Sequence, residues 1–209
     1  ETIDGLPHLR HIARYGVGTD IVDVEYAISR GIAVTNVPAD YCRNEVADHA
    51  LALMLAFARG LMRYDRATRS GSWRWQDAAP VHRLAGSVVG VVGLGNIGTA
   101  IVQRVQAFGC VVIAFDPYAQ AAGRVVPGVR WVGLPELLES SAYVIVQAPL
   151  TEQTRGLIDA AAISRMRDGA VLINTSRGPI VDTHAVRDAL ASGRLRGAGF
   201  DDLPEEPAK

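Results

Sequence analysis

Ser87 to Asp116 reads SVVGVVGLGNIGTAIVQRVQAFGCVVIAFD, and the fold is decided here. Val88 to Val92 is a short apolar run of the kind that makes a strand buried on both faces. Gly93-Leu94-Gly95-Asn96-Ile97-Gly98 follows at once. Ile97, Ile101, Val102, Val105 and Phe108 then recur at helical spacing, Gly109 closes the helix, and Val111 to Phe115 is a second apolar strand. The whole is one βαβ unit.

Its glycines have separate tasks. Gly93 permits the tight turn, Gly95 admits a pyrophosphate close to the backbone, and Gly98 lets the helix lie near the strand. The free N–H groups and positive dipole end of that helix receive the phosphates. A GxGxxG alone also fits a tight turn with no ligand. Asp116 adds to it, because an acid ends the next strand about 20 residues on. Its carboxylate suits the ribose hydroxyls and repels a 2′-phosphate, which favours NAD over NADP.

Strand–helix alternation continues outward. Arg130–Val132, Tyr143–Gln147, Ala170–Asn174 and Arg196–Phe200 read as strands, and Pro135–Ser140, Asp159–Met166 and Asp182–Ser192 as helices. Such a run predicts an α/β protein with a doubly wound parallel sheet. Ligands of these sheets sit beyond the carboxyl ends of the strands, which selects Gly93–Gly98, Asp116, Ala148-Pro149, Thr175-Ser176-Arg177 and Asp201. Upstream, His11–Tyr15 and Ile32–Val34 read as strands around a helix at Val24–Arg30, with a glycine loop at Gly16–Asp20. Residues 1–42 are therefore expected to be the tail of one domain and 43–209 a second domain. One long helix is expected from Glu45 to about Thr68, bridging the two. Residues 70–86 form a polar loop carrying Trp73 and Trp75, which suit either an oligomer contact or packing on their own domain.

Composition sets outer bounds. With 209 residues, 49% apolar and 21% charged, the chain is an ordinary globular protein with a sizeable core. A net charge of −1 gives no reason to expect nucleic acid or an anionic membrane as partner. The longest apolar run, Ala50–Ala58, is too short to span a bilayer. Cys42 and Cys110 have neither disulfide-framework nor metal-ligand spacing, so both are expected reduced, in a cytoplasmic protein without a metal.

Asn174-Thr175-Ser176-Arg177-Gly178 puts an arginine just past a buried strand, where a forked donor suits a carboxylate and a carbonyl oxygen. An isolated arginine there would read as a surface residue. The surrounding motifs decide. Arg14-Tyr15-Gly16-Val17-Gly18, Asn36-Val37-Pro38, Glu45-Val46-Ala47-Asp48-His49, the Gly93–Gly98 fingerprint, Pro149-Leu150-Thr151 with Thr154, Asn174–Gly178 with Val181-Asp182, and Glu205-Glu206-Pro207 stand in a known order and spacing. In these the chain resembles the D-isomer-specific 2-hydroxyacid dehydrogenase family over essentially its whole length. Tyr41-Cys42, the two tryptophans and Asp116-Pro117-Tyr118 are most similar to its bacterial C-terminal-binding-protein-like and phosphoglycerate dehydrogenase-like members.

The resemblance implies a Rossmann-like NAD-binding domain with the remnant of a flavodoxin-like substrate domain. It implies hydride transfer between NAD and a D-2-hydroxy or 2-keto acid. Arg177 matches the family's substrate-anchoring arginine, and Glu206 the glutamate paired with the catalytic histidine. Val17 and Gly18 match the loop whose N–H groups hold the substrate carboxylate. Gly93, Gly95, Asn96, Ile97, Gly98, Asp116, Ala148, Pro149, Thr154, Thr175, Ser176 and Asp201 match cofactor contacts. A homodimer through the long helix and the following loop is implied as well. Asn96, Gln147-Ala148 and Asp202 depart from the usual residues. The family's histidine lies beyond the glutamate in a Pro-His context that none of His8, His11, His49, His82 or His184 occupies. The chain is accordingly expected to be a fragment, nearly inactive alone. A rival reading is a non-catalytic, NAD(H)-responsive corepressor-like module; a Rossmann-like methyltransferase fits the glycines but leaves Arg177 and Glu206 unexplained.

Overall fold

The computed structural model describes residues 2–78 and 80–204, arranged as two compact units, 1–43 and 44–209. The first unit holds β1 (His11–Arg14), α1 (Val24–Ser29) and β2 (Ala33–Asn36), with β1 and β2 paired in parallel. The Asp23 side chain caps α1 by accepting from Tyr26 N. Between β1 and α1 runs the glycine loop. Asn36 Nδ2 donates to Val17 O at 2.7 Å, and Val37 N donates to Gly16 O, so the end of β2 braces that loop.

The second unit opens with α2 (Arg43–Arg59) and α3 (Leu61–Arg69). Where the sequence predicts one helix, the structure has two. Gly60 adopts φ +63°, a left-handed conformation that breaks the helical hydrogen-bond ladder between them. The consequences for packing are large. In α2 the spacing of Ala47, Ala50, Leu51, Met54 and Ala58 buries one face, whereas α3 buries nothing and leaves Leu61 52% and Met62 65% exposed. Residues 43–69 are thus a core helix followed by a surface helix.

Then follow β3 (Val88–Val92), α4 (Asn96–Ala107), β4 (Val111–Phe115), α5 (Pro117–Ala121), β5 (Val129–Trp131), α6 (Leu134–Ser140), β6 (Tyr143–Val146), α7 (Ala160–Arg165), β7 (Ala170–Asn174), α8 (Thr183–Ala191) and β8 (Leu195–Phe200). The short helix α5 has no counterpart in the sequence reading; Asp116 starts it and Pro117 occupies its first position. Six parallel strands make one sheet in the order β5-β4-β3-β6-β7-β8. The chain winds outward from β3 to β5, then returns to the other side of β3. This is the doubly wound Rossmann-like order, with its switch point between β3 and β6.

Each sheet face has its own core. One joins α2 and α4 to Val89, Val91, Tyr143 and Ile145; the other joins α6, α7 and α8 to Val92, Ile113, Val144 and Leu172. Burial of β3, β6 and β7 on both faces explains their unbroken apolar runs. The strand β8 differs. Leu195 pairs with Ala170 and Gly197 with Val171, so Arg196 is an extra, bulged residue. Gly197 then meets α2 directly: a Cβ there would lie 2.4 Å from the Phe57 ring. Cys110 is buried, and burial raises its thiol pKa; Cys42 is half-buried, and both are free.

The Gly197 contact makes a testable pair. Gly197→Ala is expected to cost about 1–3 kcal/mol by overpacking against Phe57. Adding Phe57→Leu is expected to return part of that loss, a coupling that a urea-denaturation double-mutant cycle measures.

Candidate active site

The switch point sets the geometry. Gly93 ends β3 at φ +93°, and a Cβ on it would meet Gln147 O at 2.6 Å and Ala148 N at 2.8 Å. Here the chain leaving β3 and the chain leaving β6 pass in contact before they part. Gly98, in the first turn of α4, would place a Cβ 2.2 Å from Gly93 O. Gly95 is the opposite case, with nothing within 4 Å of its Cβ position. The three glycines therefore divide: Gly93 and Gly98 are in close contact with backbone, and Gly95 faces open space.

Helix ends sharpen this. Asp23, Asp116, Asp159 and Asp182 cap α1, α5, α7 and α8 with their carboxylates, but no side chain caps α4 behind Gly95. The positive end of α4 thus keeps its attraction for an anion from outside. Open space at Gly95, an uncapped helix end and exposed Asn96 fit the pyrophosphate of a dinucleotide.

Asp116 stands across the turn, at the carboxyl end of β4. One oxygen accepts from Tyr118 N and Ala119 N at 3.1 and 2.9 Å, and the other accepts from Leu94 N at 2.8 Å. An ionised carboxylate has about four acceptor positions, so the three backbone bonds leave capacity for a ribose hydroxyl. The sequence signals the acid; its bond to the fingerprint's own backbone appears only in three dimensions.

Beyond β7 the loop is wired internally. Buried Asn174 accepts from Ser176 N and Ser176 Oγ through Oδ1 and donates to Arg177 O at 2.8 Å. Arg177 is half-buried, and its guanidinium donates to Ser176 O at 2.8 Å. Thr175 Oγ1 donates to Gln147 Oε1 at 2.7 Å, tying the end of β7 to the end of β6. Ala148 is buried and Pro149 exposed, while Thr154 Oγ1 closes its loop by donating to Pro149 O. Ile97 packs inward against the α2–α4 core.

The end of β8 completes this side. Asp201 N donates to Asn174 O at 3.1 Å, and the Asp201 carboxylate lies 3.4 Å from His49 Nε2. Asp202 accepts from Gly178 N at 2.9 Å, and Gly178 has no room for a side chain against Leu203 and Pro204. Gln147 and Asp202, both departures from the family pattern, thus acquire definite partners. Their positions within two residues of the ends of β6 and β8 are the signal that marks them.

Gly93, Gly95, Asn96, Gly98, Asp116, Ala148, Thr175, Ser176, Arg177 and Asp201 all stand at the carboxyl ends of the sheet's strands. Val17 and Gly18 belong to the first unit. Glu206 lies outside the described residues. Among the described residues no cluster of His, Cys, Asp and Glu suits a metal, and no helix is long and apolar enough to cross a membrane.

The chain is similar to known proteins. The family model "D-isomer specific 2-hydroxyacid dehydrogenase, NAD binding domain" matches residues 51–209. The D-3-phosphoglycerate dehydrogenase of Mycobacterium bovis is 39% identical over 207 residues, covering 99% of this chain and 39% of that protein. The glyoxylate reductase of Pyrococcus furiosus is 39% identical over 213 residues, covering 99% of this chain and 63% of that protein. The crystal structure of an NAD-dependent formate dehydrogenase from Staphylococcus aureus, in complex with NAD, matches with a TM-score of 0.90 at 32% identity. That match covers 99% of this chain and 62% of the other. This chain spans between 39% and 63% of those relatives' lengths. Through its fingerprint, its strand order and the motifs on its strand ends, it belongs to the D-isomer-specific 2-hydroxyacid dehydrogenase family, whose NAD-binding domain it carries.

Proposed function

We propose that this protein is an NAD-dependent oxidoreductase of D-2-hydroxy and 2-keto acids. Oxidation of such an acid removes a hydride from C2 and a proton from the hydroxyl; NAD, when bound, supplies the hydride acceptor. Arg177 is assigned to the substrate carboxylate and carbonyl oxygen, where its planar fork holds the acid and polarises the C–O bond. The braced loop supports this role, since Asn174, Ser176 and Asp202 fix the backbone on both sides of Arg177. Backbone N–H groups of Val17 and Gly18 are assigned to the substrate carboxylate as well. Glu206 is assigned to a histidine general acid, whose pKa a nearby carboxylate raises toward neutrality. Asp201 is placed at the nicotinamide carboxamide, and Thr154, Thr175, Ser176, Ala148 and Pro149 along the cofactor.

Gly95 carries the cofactor half of this proposal, and Asp116 gives it a preference for NAD over NADP by charge. The relatives act on different small acids by name, so the substrate is assigned only as a class. We also assign the exposed apolar surface of residues 61–75 to a homodimer contact. Trp73 is 88% and Trp75 72% exposed, Leu61 and Met62 are exposed too, and Tyr64 Oη pins the loop by donating to Trp75 O. Large exposed aromatics of this kind are typical interface anchors. The two free thiols support a reducing, cytoplasmic setting.

Three variants test the cofactor site by tryptophan-to-nicotinamide energy transfer. Gly95→Ala is expected to fold like the parent, since its Cβ meets nothing, yet to bind NADH about tenfold more weakly. Gly98→Ala is expected to destabilise the fold itself. Asp116→Ala is expected to weaken NADH and narrow its advantage over NADPH. Unchanged NADH affinity in Gly95→Ala would remove the cradle from this site.

The dimer contact has its own check by sedimentation. Replacing Trp73 and Trp75 together by Ala is expected to raise the dimer dissociation constant at least about tenfold, leaving NADH binding in place.

A further inference from the structure

Helix α2 runs back along β8, and the two match residue for residue. A Cβ on Gly197 would lie 2.4 Å from the Phe57 ring, and one on Gly199 would lie 3.3 Å from Leu53. Phe57, Leu53 and His49 follow one another at four-residue spacing, which puts them on one helix face about 6 Å apart along its axis. Gly197, Gly199 and Asp201 are two residues apart, and two residues of extended chain advance by about 6–7 Å. A third pair completes the register: His49 Nε2 lies 3.4 Å from the Asp201 carboxylate. Two glycines thus let α2 settle on the strand, and that approach delivers an imidazole to the acid at its end.

Both partners are held in place. Asp201 N donates to Asn174 O at 3.1 Å, at the end of β7. On α2, Asp48 accepts from Arg104 Nε of α4 at 2.5 Å, and Asn44 Oδ1 accepts from the same guanidinium at 3.2 Å. Adjacent helical residues point about 100° apart, so α2 fastens to α4 through Asp48 and turns His49 toward β8. Among the described residues, His49 is the only side chain within ion-pair or hydrogen-bond reach of the Asp201 carboxylate. Protonated, the imidazole forms an ion pair with it; neutral, it can still donate one N–H.

The sheet order gives Asp201 its place. Asp116 follows β4 and Asp201 follows β8, on opposite sides of the Gly95 turn in the order β5-β4-β3-β6-β7-β8. A dinucleotide laid across that turn, with its adenosine ribose at Asp116, directs its nicotinamide toward β6, β7 and β8. We infer that His49 is a positioning residue for this end of the cofactor: it holds the Asp201 carboxylate where it accepts from the nicotinamide carboxamide. The inference rests on the reading of the crevice as an NAD site. The other explanation is that the pair merely adds a surface contact between α2 and β8, its side chains being 47% and 56% exposed.

Calorimetric titration with NADH and with ADP-ribose, which lacks the nicotinamide, separates the two. His49→Leu is expected to weaken NADH about two- to fivefold, the scale of an exposed charge contact, and to leave ADP-ribose unchanged. His49→Gln, which keeps an N–H donor, is expected to restore part of the NADH affinity. In an Asp201→Asn background His49→Leu is expected to have no further effect, because its route to the cofactor is gone. Equal losses for NADH and ADP-ribose would make His49 a packing residue of α2. NADH affinity unchanged in His49→Leu, or the full loss persisting in the Asp201→Asn background, would equally overturn the inference. Should His49→Leu fail to fold, His49→Asn, whose shorter amide falls short of the carboxylate, takes its place with the same outcomes. Failure of the parent to bind either compound would bring down the cofactor assignment itself, and this inference with it.

Discussion

Helix α4 lies so close to β3 that the Gly93 carbonyl oxygen occupies the space a Cβ on Gly98 would need. Much else follows from this approach. It fixes the angle at which α4 leaves the strand, and hence the direction in which its first N–H groups point. On the other side Gly93 touches the backbone of Gln147, so the same turn also fixes where the chain beyond β6 begins. A single residue wider at either glycine would separate β3 from one neighbour or the other. The crevice at the switch point is therefore a product of two backbone contacts, and the glycine turn has little freedom to rearrange.

Electrostatics at helix ends follow a consistent division. Four aspartates neutralise the starts of α1, α5, α7 and α8 from within the protein, each by accepting backbone N–H bonds. Only a carboxylate-free start remains useful for an anionic ligand, and α4 has one. Asp116 links the two behaviours. It caps α5 while accepting from Leu94 N in the fingerprint, so one carboxylate holds both the start of α5 and the glycine turn.

The sheet strands were legible in the sequence because burial on both faces leaves unbroken apolar runs, as at Val88–Val92 and Ala170–Asn174. Local chemistry located the helix starts equally well, Asp23, Asp159 and Asp182 being true caps. What escaped was tertiary. Val46, Ala50, Leu53, Met54, Phe57, Leu61 and Tyr64 share a helical face on paper, and nothing in that periodicity reveals that Gly60 turns left-handed and sends α3 to the surface. A glycine inside a helical pattern is tolerated often enough that its conformation is settled by packing. Asp202 and Gln147 were visible only as unusual residues; their bonds to Gly178 and Thr175 join positions 24 and 28 residues apart. His82 looked like a loop residue and proves half-buried, its backbone N donating to Ala58 O at the end of α2.

The bulge at Arg196 has one more effect. Among the described residues strand β8 is an outer strand of the sheet, with one row of backbone groups unpaired by any other described strand. A flat outer strand of that kind offers a template on which another polypeptide can add itself. The extra residue offsets the register and increases local twist, so an incoming strand meets a bent and cationic border, with Arg194 and Arg196 on either side of Leu195. At the opposite border β5 is only three residues long, with Arg130 at its middle. A one-residue irregularity at one margin and a three-residue strand at the other each offer a poor template for an added strand.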